Sequence, residues 1–167
     1  MSFYCPECWA EVPEEAECCP ACGRSLTADD EDYVDKLIAS LRHFEPTRSA
    51  LAIQILSEML GEPRAIVPLI ELLDTARDAY VLHSATVALG RFADGRAVPA
   101  LVRRALDLTS PLVVRVAAVD ALARIGGDQA RAALEGALAD PNATVRDHAR
   151  GGRWSTLSWP GVAERWL

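Results

Sequence analysis

The sequence predicts an all-α fold, a short α-solenoid of paired helices preceded by a small cysteine-held module. Three observations predict it. Residues 114–140 (VRVAAVDALARIGGDQARAALEGALAD) read as two short helices joined by Gly126-Gly127. The same layout recurs at residues 81–107, in a worn copy at 48–74, and begins afresh at Val145-Arg146. A period in the thirties with two helices per unit marks stacked helix pairs, none of which buries its apolar face alone. Finally, all five cysteines fall within residues 5–22.

Composition agrees with this reading. Half of the 167 residues are apolar but only 6% are aromatic, which suits helices packed closely through small side chains. The net charge of −7 is unevenly spread. Residues 1–46 carry 11 acidic and 3 basic side chains, whereas 47–167 carry 13 and 14. That balance argues against broad phosphate-backbone binding, which needs clustered Lys and Arg. The start, MSFYCPECW, has neither a basic nor an apolar signal region, and no run of 18 apolar residues occurs. A cytoplasmic chain without membrane spans is the expectation. In a reducing compartment a cysteine cluster is expected to bind metal rather than form disulfides.

The first 26 residues contain two identically spaced knuckles, Cys5-x2-Cys8 and Cys19-x2-Cys22, each of the form C-P-x-C. Such a turn points both its sulfurs at one ion, and two turns face each other to give a closed tetrahedral shell of four thiolates. The expected metal is structural Zn2+ on Cys5, Cys8, Cys19 and Cys22. With no position left open for water, catalysis at the metal is not expected. Cys18 is an alternative ligand to Cys19 through Cys18-x3-Cys22, although the symmetric spacing favours Cys19. The module resembles short zinc ribbons with a CPxCG, Val-Pro, FCPxCG pattern, and the Val12-Pro13 step is present. It departs at Trp9, where those ribbons have Gly, and at Cys18, where they have an aromatic. A segment this short cannot bury enough surface to fold alone, so the metal is expected to supply its folding free energy. Trp9 is expected to cover one side of the metal turn.

Residues 27–46 open with an acidic run, TADDED, in which Thr27 or Asp29 suits a helix cap. Val34, Leu37, Ile38, Leu41 and Phe44 then fall at helical spacing and predict an amphipathic helix over the exposed end of the first repeat. Pro46 ends or restarts it.

In the clearest repeat, Val114, Ala117, Ala118, Ala121, Leu122 and Ile125 form one helix face, while Arg115, Asp120 and Arg124 are expected to face away. Ser110-Pro111 reads as a cap with proline in the first turn, and Gly126-Gly127 as a left-handed stop. Asp128 is expected to cap the second helix, whose apolar face is Ala130, Ala133, Leu134, Ala137 and Leu138. Asp120–Arg124 and Arg131–Glu135 are spaced as i,i+4 pairs. Pro68 and Pro99 fall near second-helix starts, where a missing N–H costs least.

The pattern VRxxAAxALxxIG, AxxxL, then D-P-x-x-x-VR resembles HEAT repeats of the phycobilisome-lyase-like subclass, over residues 47–150. The resemblance implies a right-handed α-solenoid of about three and a half helix pairs, with second helices on the concave side. There it would expose Arg64, Glu71, Arg96, Arg103, Arg104, Arg131 and Glu135. Arg96, Arg103, Arg104 and Arg131 make a modest basic cluster, suited to carboxylates of an acidic or mixed peptide. Arg115 and Arg146 follow Val at first-helix starts, where the family uses Arg to bond a neighbouring unit, with Asp107 and Asp140 as expected partners. His43, His83 and His148 show no metal spacing.

Residues 151–167 begin with a Gly-Gly stop and carry Trp154, Trp159 and Trp166. They are read either as a C-terminal cap or as a docking segment anchored by Trp154 and Trp159. The leading function is a non-catalytic protein-interaction adaptor with a zinc head. The alternatives are a nucleic-acid-binding accessory protein acting through the ribbon and a bilin-lyase-like chaperone subunit. HEAT-type deoxyhypusine hydroxylases carry His-Glu pairs for two irons, and this chain has no His-Glu dipeptide. HEAT-like alkylpurine DNA glycosylases use a strongly basic face that this charge balance does not supply. The expected organisation is a ribbon at 1–26, a linker and capping helix at 27–46, repeats at 47–150 and the tail at 151–167.

Overall fold

The computed structural model describes residues 3–5, 7–13, 16–26 and 30–155. Two short strands open it, β1 (Phe3–Tyr4) and β2 (Glu11–Val12), paired antiparallel with Phe3 opposite Val12. Eight helices follow among the described residues: α1 (Asp30–Ser40), α2 (Pro46–Gln54), α3 (Ile66–Thr75), α4 (Ala79–Phe92), α5 (Val98–Leu106), α6 (Leu112–Ile125), α7 (Asp128–Ala137) and α8 (Ala143–Ser155). None is long and apolar enough to cross a membrane.

The helices stack as a helical solenoid. One layer is the row α2, α4, α6, α8, each packed on the next, and the other is α3, α5, α7. One buried cluster runs through both, from Val34 and Leu37 to Val145 and Ala149. The predicted apolar faces supply it: Val114, Ala118 and Leu122 are fully buried on α6, and Ala130 on α7. Small residues set the spacing. At Gly90 of α4 an added Cβ would come 2.8 Å from the Ala121 Cβ on α6, so the two helices meet there closer than any side chain permits. Short acidic turns start several helices. Asp78 accepts from the Tyr80 and Val81 N–H groups, and Asp94 and Glu62 each accept from the N–H two residues on. The close of α6 is as read from sequence in its essentials: Gly126 and Gly127 have φ of 71° and 90°.

Several local expectations are corrected. Helix α1 ends at Ser40, so Phe44 leaves the amphipathic face and is 91% exposed against His43. In the worn first repeat, α2 passes into a π turn at Ile55–Met59, whose wider turn rotates Met59 out to 72% exposure. Pro111 and Gly127 occupy the cap positions expected of Ser110 and Asp128, because Ser110 donates to Asp107 and Asp128 pairs with Arg131. Asp120 meets His148, at 2.8 Å, instead of Arg124, and Arg131 meets Asp128 instead of Glu135. Helix α8 runs through Gly151-Gly152 to Ser155, since glycine stops a helix only when it takes positive φ, and Gly151 does not. Thr27, Asp29, Trp159 and Trp166 lie outside the described residues, as does the Trp154 side chain.

Arg115 is the largest departure. It does not face away; it is 6% exposed and its guanidinium bonds the Asp140 carboxylate, itself 7% exposed. Of the two expected partners, Asp140 is thus the one used by Arg115; Asp107 is not, because that carboxylate turns back on Thr109 and Ser110. The other Asp140 oxygen accepts from the Asn142 N–H at 2.8 Å, and Arg146 bonds the Asp140 carbonyl at 2.7 Å. One aspartate thus joins α6, the loop after α7 and the start of α8.

Candidate metal centre and the repeat surface

The head is built from two matching turns. In the first, the Cys5 N–H donates to the Ala10 carbonyl at 2.9 Å and the Trp9 N–H to the Cys5 carbonyl at 2.8 Å. In the second, the Cys19 N–H donates to Arg24 at 2.7 Å and the Gly23 N–H to Cys19 at 2.8 Å. The residue after each knuckle turns left-handed, Trp9 at φ 59° and Gly23 at φ 75°. β1 and β2 flank the first turn, and the Cys18–Ser25 bridge flanks the second.

These turns bring four sulfurs together. The thiols of Cys5, Cys8, Cys19 and Cys22 all lie within 4.8 Å of one another. Cys5 and Cys22 are 3.6 Å apart, as are Cys8 and Cys19. Four thiolates about 2.3 Å from a central zinc would lie roughly 3.8 Å apart, so the group fits a tetrahedral ion. Such separations are far from the ~2.05 Å of a disulfide. Cys5 and Cys19 are buried, and Cys18 is exposed and outside the group. The choice between Cys18 and Cys19 thus falls geometrically on Cys19.

Electrostatics make the same point. Burial opposes ionisation of Cys19, but the Cys22 and Ala21 N–H groups and the neighbouring thiols outweigh it, bringing the thiol down to about 7. At Cys22 the Arg24 N–H favours the thiolate, yet burial and three neighbouring thiols prevail and push it up to about 12. Cys8 is raised as well, against the help of the Ala10 N–H, by burial and by Cys19 and Cys5. The Cys8 and Cys22 thiols resist ionisation in this space, and a bound dication would supply the missing compensation.

Each arginine of the expected basic cluster has a partner within the chain. Arg96 bonds Asp94 at 2.9 Å, Arg103 bonds Asp74 at 2.8 Å and Arg131 bonds Asp128 at 3.2 Å. Arg104 bonds the Leu73 carbonyl and, at 3.3 Å, Ser110. Arg103–Asp74 and Arg64–Asp35, each 29 residues apart, reach back along the chain, from α5 to α3 and from the turn before α3 to α1. The second-helix face is therefore mixed in charge, with Arg96, Arg103 and Arg131 still more than half exposed at 59%, 57% and 62%. On the opposite row an apolar groove of about 330 Å³ lies between α4 and α6, lined by His83, Val87, Leu112, Val113 and Val116. Sequence reasoning missed this groove, because Leu112 and Val113 read as ordinary residues of a helix start.

A family model for HEAT repeats matches residues 68–151. Among solved structures, human deoxyhypusine hydroxylase in complex with glycerol aligns at a TM-score of 0.62 and 24% identity. That alignment covers 73% of this chain and 42% of the other. The complex of CpcE and CpcF of phycocyanin lyase from Nostoc sp. PCC7120 aligns at a TM-score of 0.62 and 25% identity, covering 78% of this chain and 55% of that one. The chain thus spans about half the length of these structural relatives. No curated protein matches it at a significant level. The match covers half of the sequence and falls on the stacked pairs from α3 to α8, and on that ground the chain belongs to the HEAT-repeat family.

Proposed function

We propose that this chain is a protein-binding adaptor, a zinc-held head on a HEAT-repeat scaffold whose second-helix face receives a protein partner. The observation that carries the reading is the row α3, α5, α7, which lies on one side of the stack; Arg103 and Arg131 on it, and Arg96 in the turn before α5, are exposed beside acidic neighbours. A mixed-charge face of this kind suits a peptide surface of alternating sign, since planar arginines can exchange an internal carboxylate for an external one. Similarity to subunits that work as a CpcE–CpcF complex supports a protein partner. In this reading Cys5, Cys8, Cys19 and Cys22 hold one structural zinc. Residues 1–26 form the head, 27–46 the linker and capping helix, 47–150 the repeats, and 151–167 a cap or docking segment that includes Trp154 and Trp159. The setting is cytoplasmic.

The test is affinity capture from native lysate with the full chain and with the double variant Arg96→Glu/Arg103→Glu. A stoichiometric protein retained by the first and lost by the second is expected. The same protein on both would remove the second-helix face from the account. The CpcE–CpcF similarity also favours a second reading, a lyase-like chaperone subunit. Added bilin transferred to an acceptor protein in the presence of this chain would support it over a plain adaptor.

A further inference from the structure

Trp9 occupies a position its backbone does not favour. It stands in the first knuckle where Gly23 stands in the second, with the same hydrogen bond and the same left-handed backbone, φ 59° against 75°. Glycine takes that conformation freely, whereas a bulky side chain adopts it only when its surroundings hold it there. The surroundings are visible. Trp9 is half-buried, and it packs against the main solenoid cluster and not against the head's own small core of Cys5, Val12 and Cys19. The head is tied closely to the start of that cluster. Leu26 still packs in the head, and Val34 of α1 is already in the solenoid core eight residues later.

Two requirements therefore meet in one turn. The hydrogen-bonded turn that carries Cys5, Cys8 and Trp9 gathers the Cys5 and Cys8 sulfurs with those of Cys19 and Cys22, and it also sets the Trp9 side chain against the solenoid cluster. We infer that Trp9 is a latch through which metal occupancy of the four-cysteine head is felt by the first layer of the solenoid. With the metal held, the knuckle is fixed and Trp9 closes the end of the stack over α1. Without it, nothing fixes the strained turn, Trp9 withdraws, and α1 loosens at the end of the array, where each layer has only one neighbour. The inference rests on the metal reading above. It adds that the head is not a passive appendage.

The test is amide hydrogen exchange over residues 34–41 in the full chain, metal-loaded and chelator-stripped, for the wild type, Trp9→Gly and Trp9→Phe. Cobalt substitution monitors the site independently through its thiolate charge-transfer bands. Trp9→Gly suits the turn's positive φ, so it keeps the tetrathiolate spectrum while removing the side chain. Stripping the wild type should speed exchange in 34–41 by tenfold or more. Metal-loaded Trp9→Gly should already exchange at the stripped wild-type rate and respond little to stripping, and Trp9→Phe should fall between. A tetrathiolate spectrum with metal-independent exchange in the wild type would overturn the latch alone. So would metal-dependent protection that survives in Trp9→Gly. No tetrathiolate spectrum at all would overturn both the latch and the zinc reading beneath it.

Discussion

The head and the repeats solve the same problem, a chain too small to bury itself, by opposite means. In the head, the buried core among the described residues is Cys5, Val12 and Cys19, and two of these three are candidate metal ligands. In the repeats together with α1, more than thirty side chains are buried in one continuous cluster, most of them Ala, Leu and Val. One region concentrates its stability at a point, and the other spreads it along a row. The difference teaches where each is vulnerable. A single ligand change should abolish the first, whereas the second yields only where a contact cannot be shared among neighbouring layers.

Removing the metal is the harshest way to draw that distinction. Structural zinc supplies about 10–16 kcal/mol in small metal-folded peptides, far more than the head's apolar core can provide. Chelation should erase amide protection in residues 3–26 while α4 to α7 keep theirs, as exchange mass spectrometry would show. Protection retained in the head after complete metal loss would erase the contrast.

Within the repeats the largest single-site effect is expected at the buried pair. Arg115→Ala leaves Asp140 charged and without its guanidinium partner, and breaking such a pair costs about 3–5 kcal/mol. Thermal unfolding should fall accordingly. The double replacement Arg115→Met/Asp140→Leu should recover much of the loss, less the part that Asp140 contributes through the Asn142 N–H. Next comes the close approach of α4 and α6. Gly90→Ala forces its Cβ against Ala121, whose backbone cannot yield cheaply, at a cost of about 1–3 kcal/mol despite the better helix propensity of alanine. The surface pair should matter less. Arg103→Ala removes an exposed bond to Asp74 and is expected to change stability by about 0–1 kcal/mol, while weakening partner capture if that face is used.

A smaller effect is set by pH. The Arg96 side chain and N–H hold the Asp94 carboxyl below its usual value. Because the folded value is the lower one, Asp94 contributes stability above the ordinary carboxylate range, and this is lost as pH falls through the folded value. Asp94→Asn should flatten the acid limb of a melting-temperature profile slightly. An unchanged limb would mean that the Asp94 cap contributes nothing measurable.

Much of this was legible in the chain itself, for physical reasons that can be named. The repeat was readable because helix faces repeat at fixed spacing, and Gly126-Gly127 because only glycine enters those positive-φ conformations cheaply. The clustering of four cysteines was readable because a C-x2-C turn has one useful geometry. What escaped depended on distance or on competition. Asp140 was one of two partners expected for Arg115, but nothing in the sequence showed that Asp107 would be taken by its own loop or that Arg115 would be buried. His148 looked ordinary until α8 brought it to Asp120. The π turn at Ile55–Met59 has no sequence mark that separates it from a continuing α-helix. Trp9 was assigned to the metal turn because its neighbours in sequence are there, whereas its side chain packs against the solenoid cluster.

Native mass spectrometry of the full chain, read beside far-ultraviolet circular dichroism, tests the central contrast most directly. The account predicts one zinc per chain in the wild type and in Cys18→Ser. It predicts none in Cys19→Ser, whose helical signal should stay close to that of the wild type. Equal metal loss in the two serine variants, or collapse of the helical signal in Cys19→Ser, would contradict it.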